Sequence, residues 1–179
     1  METRLAQINI SAAGGTAAKG AQTCKVTLPT AWVQAMGLHP QNREVEITFD
    51  GHSVTIVPRL SVQEFAAQKR GLGHRLYWLR LFDGDRLCST LCADATDESL
   101  AVQNHVADPV KTAFGNTPLP TWQDFQLFLQ ERCIPKERAG LREYLEALGL
   151  QEYDPLTIIQ KTGGRMAEDG QWIEMEMQA

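Results

Sequence analysis

The chain has 179 residues, of which 43% are hydrophobic and 22% are charged, so it is long enough for one globular domain or two small ones. No apolar run approaches the roughly 20 residues of a membrane span, and the N-terminus lacks the apolar core of a signal peptide. We therefore expect a cytoplasmic protein without membrane contacts. Four scattered cysteines (Cys24, Cys88, Cys92 and Cys133) fit reduced thiols better than a disulfide framework.

The net charge of −5 is unevenly distributed along the chain. Residues 1–70 carry seven Lys/Arg and five Asp/Glu, a net charge of +2, whereas residues 71–179 carry ten and seventeen, a net charge of −7. A basic first part followed by an acidic body is typical of a nucleic-acid reader with a protein-binding tail. A random partition of a few charges gives the same numbers, so both interpretations stay open.

The first predicted elements are a strand and a loop of small residues. Residues 4–10 alternate weakly between apolar and polar side chains, which predicts a strand. The loop from Gly14 to Gly20 can bring backbone N–H groups close to a phosphate, with Lys19 as a point charge. It lacks the Walker spacing, which argues against nucleotide hydrolysis here. The alternative is a flexible connection without a ligand.

A strand, a short helix and a hairpin follow. Residues 25–28 alternate as a half-buried strand, and Pro29 suits the first turn of a helix. Residues 44–49 and 53–58 alternate on either side of Asp50-Gly51, which predicts a tight hairpin. Such a small unit buries too little apolar surface to be secure alone, so we expect it to pair with a copy of itself.

This part of the chain resembles the AbrB/MazE/SpoVT family of swapped-hairpin DNA-binding domains. The resemblance covers residues 4–58 and rests on Lys25-Val-Thr-Leu-Pro, the Trp-Val-x-Ala-Met-Gly-Leu helix, Glu44-Val-Glu-Ile and Asp50-Gly51. It implies a homodimer in which hairpins of two chains interleave into one β-barrel that presents basic loops to double-stranded DNA. On this resemblance, the DNA-binding residues are predicted to be Arg4, Thr16, Lys19, Lys25 and Arg43.

Residues 59–73 are predicted to form a helical linker, because Ser61 and Glu64 make a capping box and Gly71-Leu-Gly73 ends the helix. Two strands, 75–82 and 86–92, then form a hairpin around Asp83-Gly84-Asp85, and residues 99–106 form a third strand.

Helices are predicted behind these three strands. They are a short turn after Asp108-Pro109 with Val110 and Phe114 on one face, a helix from Thr121 to Arg132, one from Pro135 to Leu148, and one from Asp154-Pro155 to Gly163, after which Trp172-Ile173 pack the tail back. Strands followed by helices in blocks favour an α+β fold. The predicted domains are 1–58, the swapped-hairpin domain; 59–73, the helical linker; and 74–179, an acidic α+β partner-binding domain.

Candidate catalytic and metal-binding groups are weak. Cys88 and Cys92 lack a zinc-site spacing, and the four histidines are dispersed. Glu168-Asp169 and the pair Asp83/Asp85 are interpreted as turn or surface carboxylates. We therefore predict that the chain is not an enzyme and uses no metal or cofactor. The cations Arg132, Lys136, Arg138 and Arg142 are predicted to form i,i+4 pairs on a solvated face, and Arg138 is predicted to pair with Glu143, five residues on.

Residues 132–138, 153–155 and 165–172 resemble uncharacterised mobile-element proteins of Gram-positive bacteria whose genes neighbour toxin-like or regulatory genes. This resemblance implies an accessory, partner-binding role. The first hypothesis is a homodimeric DNA-binding transcription regulator, similar to an antitoxin or autorepressor, with a protein-interaction domain behind it. In the alternative, the barrel only dimerises, and the acidic domain binds and blocks a nucleic-acid enzyme or toxin.

Overall fold

The computed structural model describes residues 2–16, 18 and 20–178. The chain divides into two compact units, Met1–Arg59 and Leu60–Ala179, which we call the first and second unit. The fold is mixed α+β, as predicted, with three sheets and five α-helices in the described residues. Within this described part, no helix is both long and apolar enough to cross a membrane.

The first unit consists of two separate hairpins and one short helix. Strand β1 (Asn9–Ala12) pairs antiparallel with β2 (Gln22–Lys25), and β3 (Val45–Phe49) pairs antiparallel with β4 (Val54–Pro58). Helix α1 (Thr30–Ala35) lies between them in sequence. The described residues of this single chain form no closed barrel and do not show the interleaved hairpins of the swapped arrangement.

The first two strands lie elsewhere than predicted. The first was expected at residues 4–10 and the second at 25–28, but β1 begins at Asn9 and β2 ends at Lys25. Asn9 lies directly opposite Lys25, and this pair is the last one of the β1–β2 ladder at that end. The backbone hydrogen bond from Ala13 N–H to Ala21 C=O closes the other end of this ribbon.

The predicted turn between β3 and β4 is confirmed. Asp50 Oδ1 accepts the backbone N–H groups of His52 and Ser53, each at 2.8 Å, and Oδ2 accepts the Ser53 hydroxyl at 2.8 Å. These bonds stabilise the charged carboxylate and lower the pKa of Asp50 to about 2. Gly51 has φ = +96°, a conformation that strains residues with a Cβ.

The second unit contains a four-stranded antiparallel sheet with the order β7-β6-β5-β8. The strands are β5 (Leu76–Asp83), β6 (Arg86–Asp94), β7 (Ser99–Asn104) and β8 (Gln171–Gln178). The prediction of three strands followed by helices is therefore incomplete. After the helices, the chain returns and adds β8 beside β5, with Ile173 opposite Leu81.

The helices of this unit begin at the predicted caps. Helix α2 (Val62–Gly71) has the Ser61–Glu64 capping box, α3 (Trp122–Glu131) has one made by Thr121 and Asp124, and Asp154 caps α5 (Pro155–Thr162). Helix α4 (Leu141–Ala147) starts six residues later than the predicted Pro135, after Gly140 in the left-handed region at φ = +82°. The turn after Asp108 is a short 3₁₀ helix, Pro109–Lys111, and Val110 on it is 83% exposed.

The two faces of this sheet carry different layers. On one face, Leu79, Leu81 and Leu91 pack with Phe125 of α3, Leu145 of α4 and Ile158 and Ile159 of α5 in the main core. On the other face, α2 packs through Val62, Phe65 and Ala66 against Leu76 and Cys92. By these contacts, the helix predicted as a linker is a packed layer of the second unit.

Candidate dimer surface and nucleic-acid interface

The first unit has an uncovered apolar face. None of its described residues is buried. Val45, Ile47 and Phe49 of β3 lie directly opposite Pro58, Ile56 and Val54 of β4, so the six side chains share one side of the hairpin. Ile47 is 63%, Phe49 68% and Val54 60% exposed. The hairpin therefore presents to solvent the side that a folded domain buries.

The β1–β2 ribbon adds a second group of uncovered apolar side chains. Ile10 lies opposite Cys24, and Ile8, Ile10 and Val26 are all exposed. An isolated two-stranded ribbon is marginally stable in water unless its apolar side is covered. Both ribbons thus need a covering surface that the described residues of one first unit do not supply.

The predicted DNA-binding residues are exposed, but the structure separates them. Lys25 lies opposite Asn9 at one end of the β1–β2 ribbon, whereas Thr16 lies in the loop at the other end. The four residues of β1 span three steps, which places the two ends of the ribbon roughly 10 Å apart. Arg43 is exposed just before β3. Lys19 lies outside the described residues.

Arg4 lies against helix α1. Its guanidinium carbon is 5.7 Å from the centre of the Trp32 ring, within range of a cation–π contact. Trp32 Nε1 in turn donates a hydrogen bond of 2.6 Å to the carboxylate of Glu2. Arg4 therefore lies against α1 while it stays exposed, and Arg4, Lys25 and Arg43 are all exposed on the first unit.

The second unit contains a buried polar cluster that sequence reasoning missed. The carboxylate of Asp94 is fully buried and lies 2.6 Å from His74 Nδ1 and 3.6 Å from Lys69 Nζ, and it accepts the Thr96 N–H at 2.8 Å. Lys69 also pairs with Asp97. Partial burial alone would raise the pKa of Asp97, but hydrogen bonds from Lys69 and Ser99 outweigh it and lower the pKa to about 2.

His74, Asp94 and Asp97 place three possible metal ligands within 4.8 Å of one another. The ammonium of Lys69 already supplies positive charge to both carboxylates, so the arrangement fits an ion-pair network that joins α2 to the end of β6. The β5–β6 register of the structure brings Asp94 opposite Leu76, two residues after His74, and this pairing assembles the cluster.

A polar groove of about 560 Å³ lies between the 3₁₀ turn and α3. In its lining, Arg132 donates to Asp169 at 2.9 and 3.1 Å and to Gln171. Nearby, Lys111 pairs with Asp83 at 2.6 Å, which raises the pKa of Lys111. Asp83 and Asp169, predicted as turn or surface carboxylates, thus each form an ion pair with a cation of the second unit.

Two further predictions concern side chains of the second unit. The i,i+4 pair on the solvated face is Arg142 with Glu146 at 2.9 Å, rather than the predicted Arg138 with Glu143. Cys88, Cys92 and Cys133 are buried free thiols, and burial raises the pKa of Cys92 and Cys133 to about 11. A raised pKa lowers the thiolate fraction at neutral pH, and the thiolate is the nucleophilic form.

Comparison with protein-family models, curated proteins and solved structures found no match to this chain.

Proposed function

We propose that the chain is a homodimeric DNA-binding transcription regulator of the swapped-hairpin type, similar to an antitoxin or autorepressor, whose second unit binds a protein partner. The observation that carries the proposal is the uncovered apolar face of β3–β4 in a unit without a buried residue among those described. Such an apolar face is stable in water only when another surface packs on it. A second copy of the same hairpin is a surface that every molecule of this protein can supply to another.

A second copy fits the geometry of that face. Closed twofold pairing places the same patch on both partners, and an apolar hairpin side is complementary to itself. Burial of Ile47, Phe49 and Val54 is worth about 1.5–3 kcal/mol for each fully buried side chain. In the interleaved arrangement, β1–β2 of one chain supplies further apolar cover through Ile8 and Ile10.

The charge distribution supports DNA as the ligand of the dimer. Residues 1–59 carry five Lys/Arg and four Asp/Glu, a net charge of +1, and residues 60–179 carry twelve and eighteen, a net charge of −6. The exposed cations Arg4, Lys25 and Arg43 occur twice in a dimer. Two copies spread along a duplex reach several phosphates, whose neutralisation releases counterions and drives binding.

The test is a titration of the full chain with duplex DNA at several salt concentrations. Lys25→Ala and Arg43→Ala should each lower the magnitude of the slope of log affinity against log salt by about two, because each substitution removes two cations from a dimer. Lys19→Ala tests the loop in the same way. Lys161→Ala, which removes a cation from α5 of the second unit, is the matched control and should leave the slope unchanged. An affinity that is insensitive to salt, or equal losses in the control, would contradict DNA binding by the first unit.

The acidic second unit favours one other candidate function. With a net charge of −6, residues 60–179 resemble nucleic acid electrostatically, and such a surface attracts basic proteins. In this alternative, the first unit only dimerises and the second unit blocks a nucleic-acid enzyme or toxin. Lys25→Ala and Arg43→Ala then leave function intact, whereas removal of residues 71–179 abolishes capture of the partner.

A further inference from the structure

The outer edge of β8 is open beyond Ile173. β8 pairs with β5 on one side and is the last strand of the sheet order, and in the described residues no strand pairs with its other side. Gln171 N–H donates to Asp169 Oδ1 at 2.9 Å and Ile173 N–H donates to Gly163 C=O at 2.7 Å, so the loop after α5 closes the first part of this edge. Further along the strand, in the described residues, no backbone group donates to or accepts from the outward side of β8.

The register shows which backbone groups this edge exposes. In an antiparallel pair, residues alternate between hydrogen-bonding to the partner strand and pointing away from it. Gly84 N–H donates to Gly170 C=O, so the even positions of β8 bond to β5 and the odd positions point outward. The N–H and C=O groups of Met175 and Met177 therefore point off the sheet, and they form a template for one added strand.

The side chains along this edge differ in chemistry between the two faces of the sheet. Glu174 and Glu176 lie on one face, where both pair with Arg80 at 3.2 and 2.7 Å. One guanidinium thus serves two carboxylates, which are 43% and 52% exposed, and one negative charge remains. On the other face, Met175 is partly buried against the main core and Met177 is 60% exposed.

A second copy of β8 is a poor occupant of this edge in the registers that place residues 174–176 at the centre of the pairing. In a twofold antiparallel pairing centred on Met175, Glu174 of each copy lies opposite Glu176 of the other. Centred on either glutamate, the pairing brings that residue opposite itself. Like charges directly opposite each other across two strands are destabilising. A strand with cations on the glutamate face and apolar side chains on the methionine face has none of these conflicts.

We infer that β8 is the docking edge of the second unit, and that its partner is an extended protein segment that alternates basic and apolar residues and adds a fifth strand to the sheet. Main-chain hydrogen bonds to Met175 and Met177 set the register of the added strand. Glu174 and Glu176 favour partner segments that carry basic side chains on the same face. This inference rests on the proposed partner-binding role of the second unit and is independent of DNA binding by the first.

The probe is a short peptide of alternating lysine and valine, titrated into the full chain and followed by fluorescence anisotropy. Alternating glutamate and valine is the matched control peptide and should not bind. N-methylation of every second backbone nitrogen of the peptide removes the N–H groups along one of its two edges and leaves the protein unchanged. Methylation of the edge that faces β8 should abolish binding, and methylation of the edge that faces solvent should preserve it.

Protein variants test the same edge. Met175→Pro removes an outward N–H and leaves the ladder to β5 intact, because proline is tolerated on the free side of an edge strand. It should weaken peptide binding by about tenfold, whereas Met175→Val keeps the N–H group and should bind like the native chain. Glu174→Gln and Glu176→Gln should each weaken binding by about fivefold. Thermal unfolding establishes that each variant is folded.

Four outcomes overturn the inference. They are absence of binding by the lysine–valine peptide, equal binding of both peptides, equal effects of the two methylation sets, and a change in sedimentation mass of Met175→Pro, which would assign the edge to a second copy. Retention of a host protein by both the native chain and Met175→Pro would leave the partner-binding role standing and remove β8 as its site. Retention of no protein or peptide by the native chain would overturn both.

Discussion

Replacement of Ile47 and Val54 by threonine tests whether a second copy covers the β3–β4 hairpin. Both side chains lie on the uncovered apolar face, in neighbouring cross-strand pairs. Threonine is β-branched and has a high strand propensity, so the hairpin itself should persist in the double variant. The variant therefore removes apolar contact area from the proposed dimer with little effect on the strands.

The expected loss follows from the exposure of the two side chains. Ile47 is 63% and Val54 60% exposed in the single chain. Full burial of such a side chain is worth about 1.5–3 kcal/mol, so covering the exposed fraction contributes about 1–2 kcal/mol for each. A twofold dimer contains four of these side chains and loses about 4–8 kcal/mol of association free energy, which weakens the dimer at least about a thousandfold.

Sedimentation equilibrium over a wide range of protein concentration measures this change directly. The native chain should behave as a dimer, and the double variant should dissociate at concentrations where the native chain stays paired. Thr55→Ser, on the opposite side of the same hairpin, is the matched control and should leave the dissociation constant unchanged. A native chain that sediments as a monomer with a folded first unit would refute the reasoning, as would an unchanged dissociation constant in the double variant.

Three other predictions concern stability. Lys69→Met leaves the buried carboxylate of Asp94 without its ammonium and should lower the free energy of unfolding by about 3 kcal/mol, measured with urea. Gly164→Ala places a Cβ 3.3 Å from two side chains at φ = +57° and should cost about 2 kcal/mol, more than Gly149→Ala, where φ is +69° and the added Cβ meets nothing within 4 Å. Asp50, whose pKa falls from 3.8 to about 2 on folding, stabilises the β3–β4 turn above pH 3.8 and loses this effect as the pH falls through 2; acid unfolding of Asp50→Ala should lack this dependence.

Local sequence signals predicted most of the helices. Ser61 with Glu64, Thr121 with Asp124, and Asp154 before Pro155 each satisfy backbone N–H groups within four residues of themselves, so no knowledge of the tertiary fold is needed to find them. The Asp-Gly turns at residues 50–51 and 83–84 are equally local. These signals located three of the five α-helices, α2, α3 and α5, and the β3–β4 and β5–β6 hairpins.

The signals failed where a partner elsewhere in the chain decides the structure. Residues 171–178 alternate between the faces of a strand, but that segment becomes β8 because β5 presents a free edge to it. At Pro135, a local signal predicted a helix that does not form there. The turns of residues 135–140 come first, and α4 begins only after Gly140, whose φ is +82°. In both places the tertiary environment overrides the local preference.

The candidate sites were predicted unevenly for the same reason. The cations Arg4, Lys25 and Arg43 were identified from composition and resemblance, and the structure adds that Lys25 and Thr16 lie at opposite ends of one ribbon. Spacing along the chain does not reveal the cluster of Lys69, His74, Asp94 and Asp97, which three separate segments bring together. The cluster is found only when the register of the strands is known from the structure.

The two units differ in how the apolar sides of their strands are buried, and this difference bears on how the protein assembles. In the second unit, one chain supplies helices to both faces of its sheet, and the core contains fully buried Leu79, Leu91 and Phe125. In the first unit, the hairpins keep their apolar sides exposed, and no described residue is buried. Stability of the second unit is therefore a property of a single chain, whereas in the proposed dimer the stability of the first unit depends on protein concentration. A change that dissociates the proposed dimer would therefore alter the first unit, which is proposed to bind DNA. It would leave the β8 edge of the second unit unchanged.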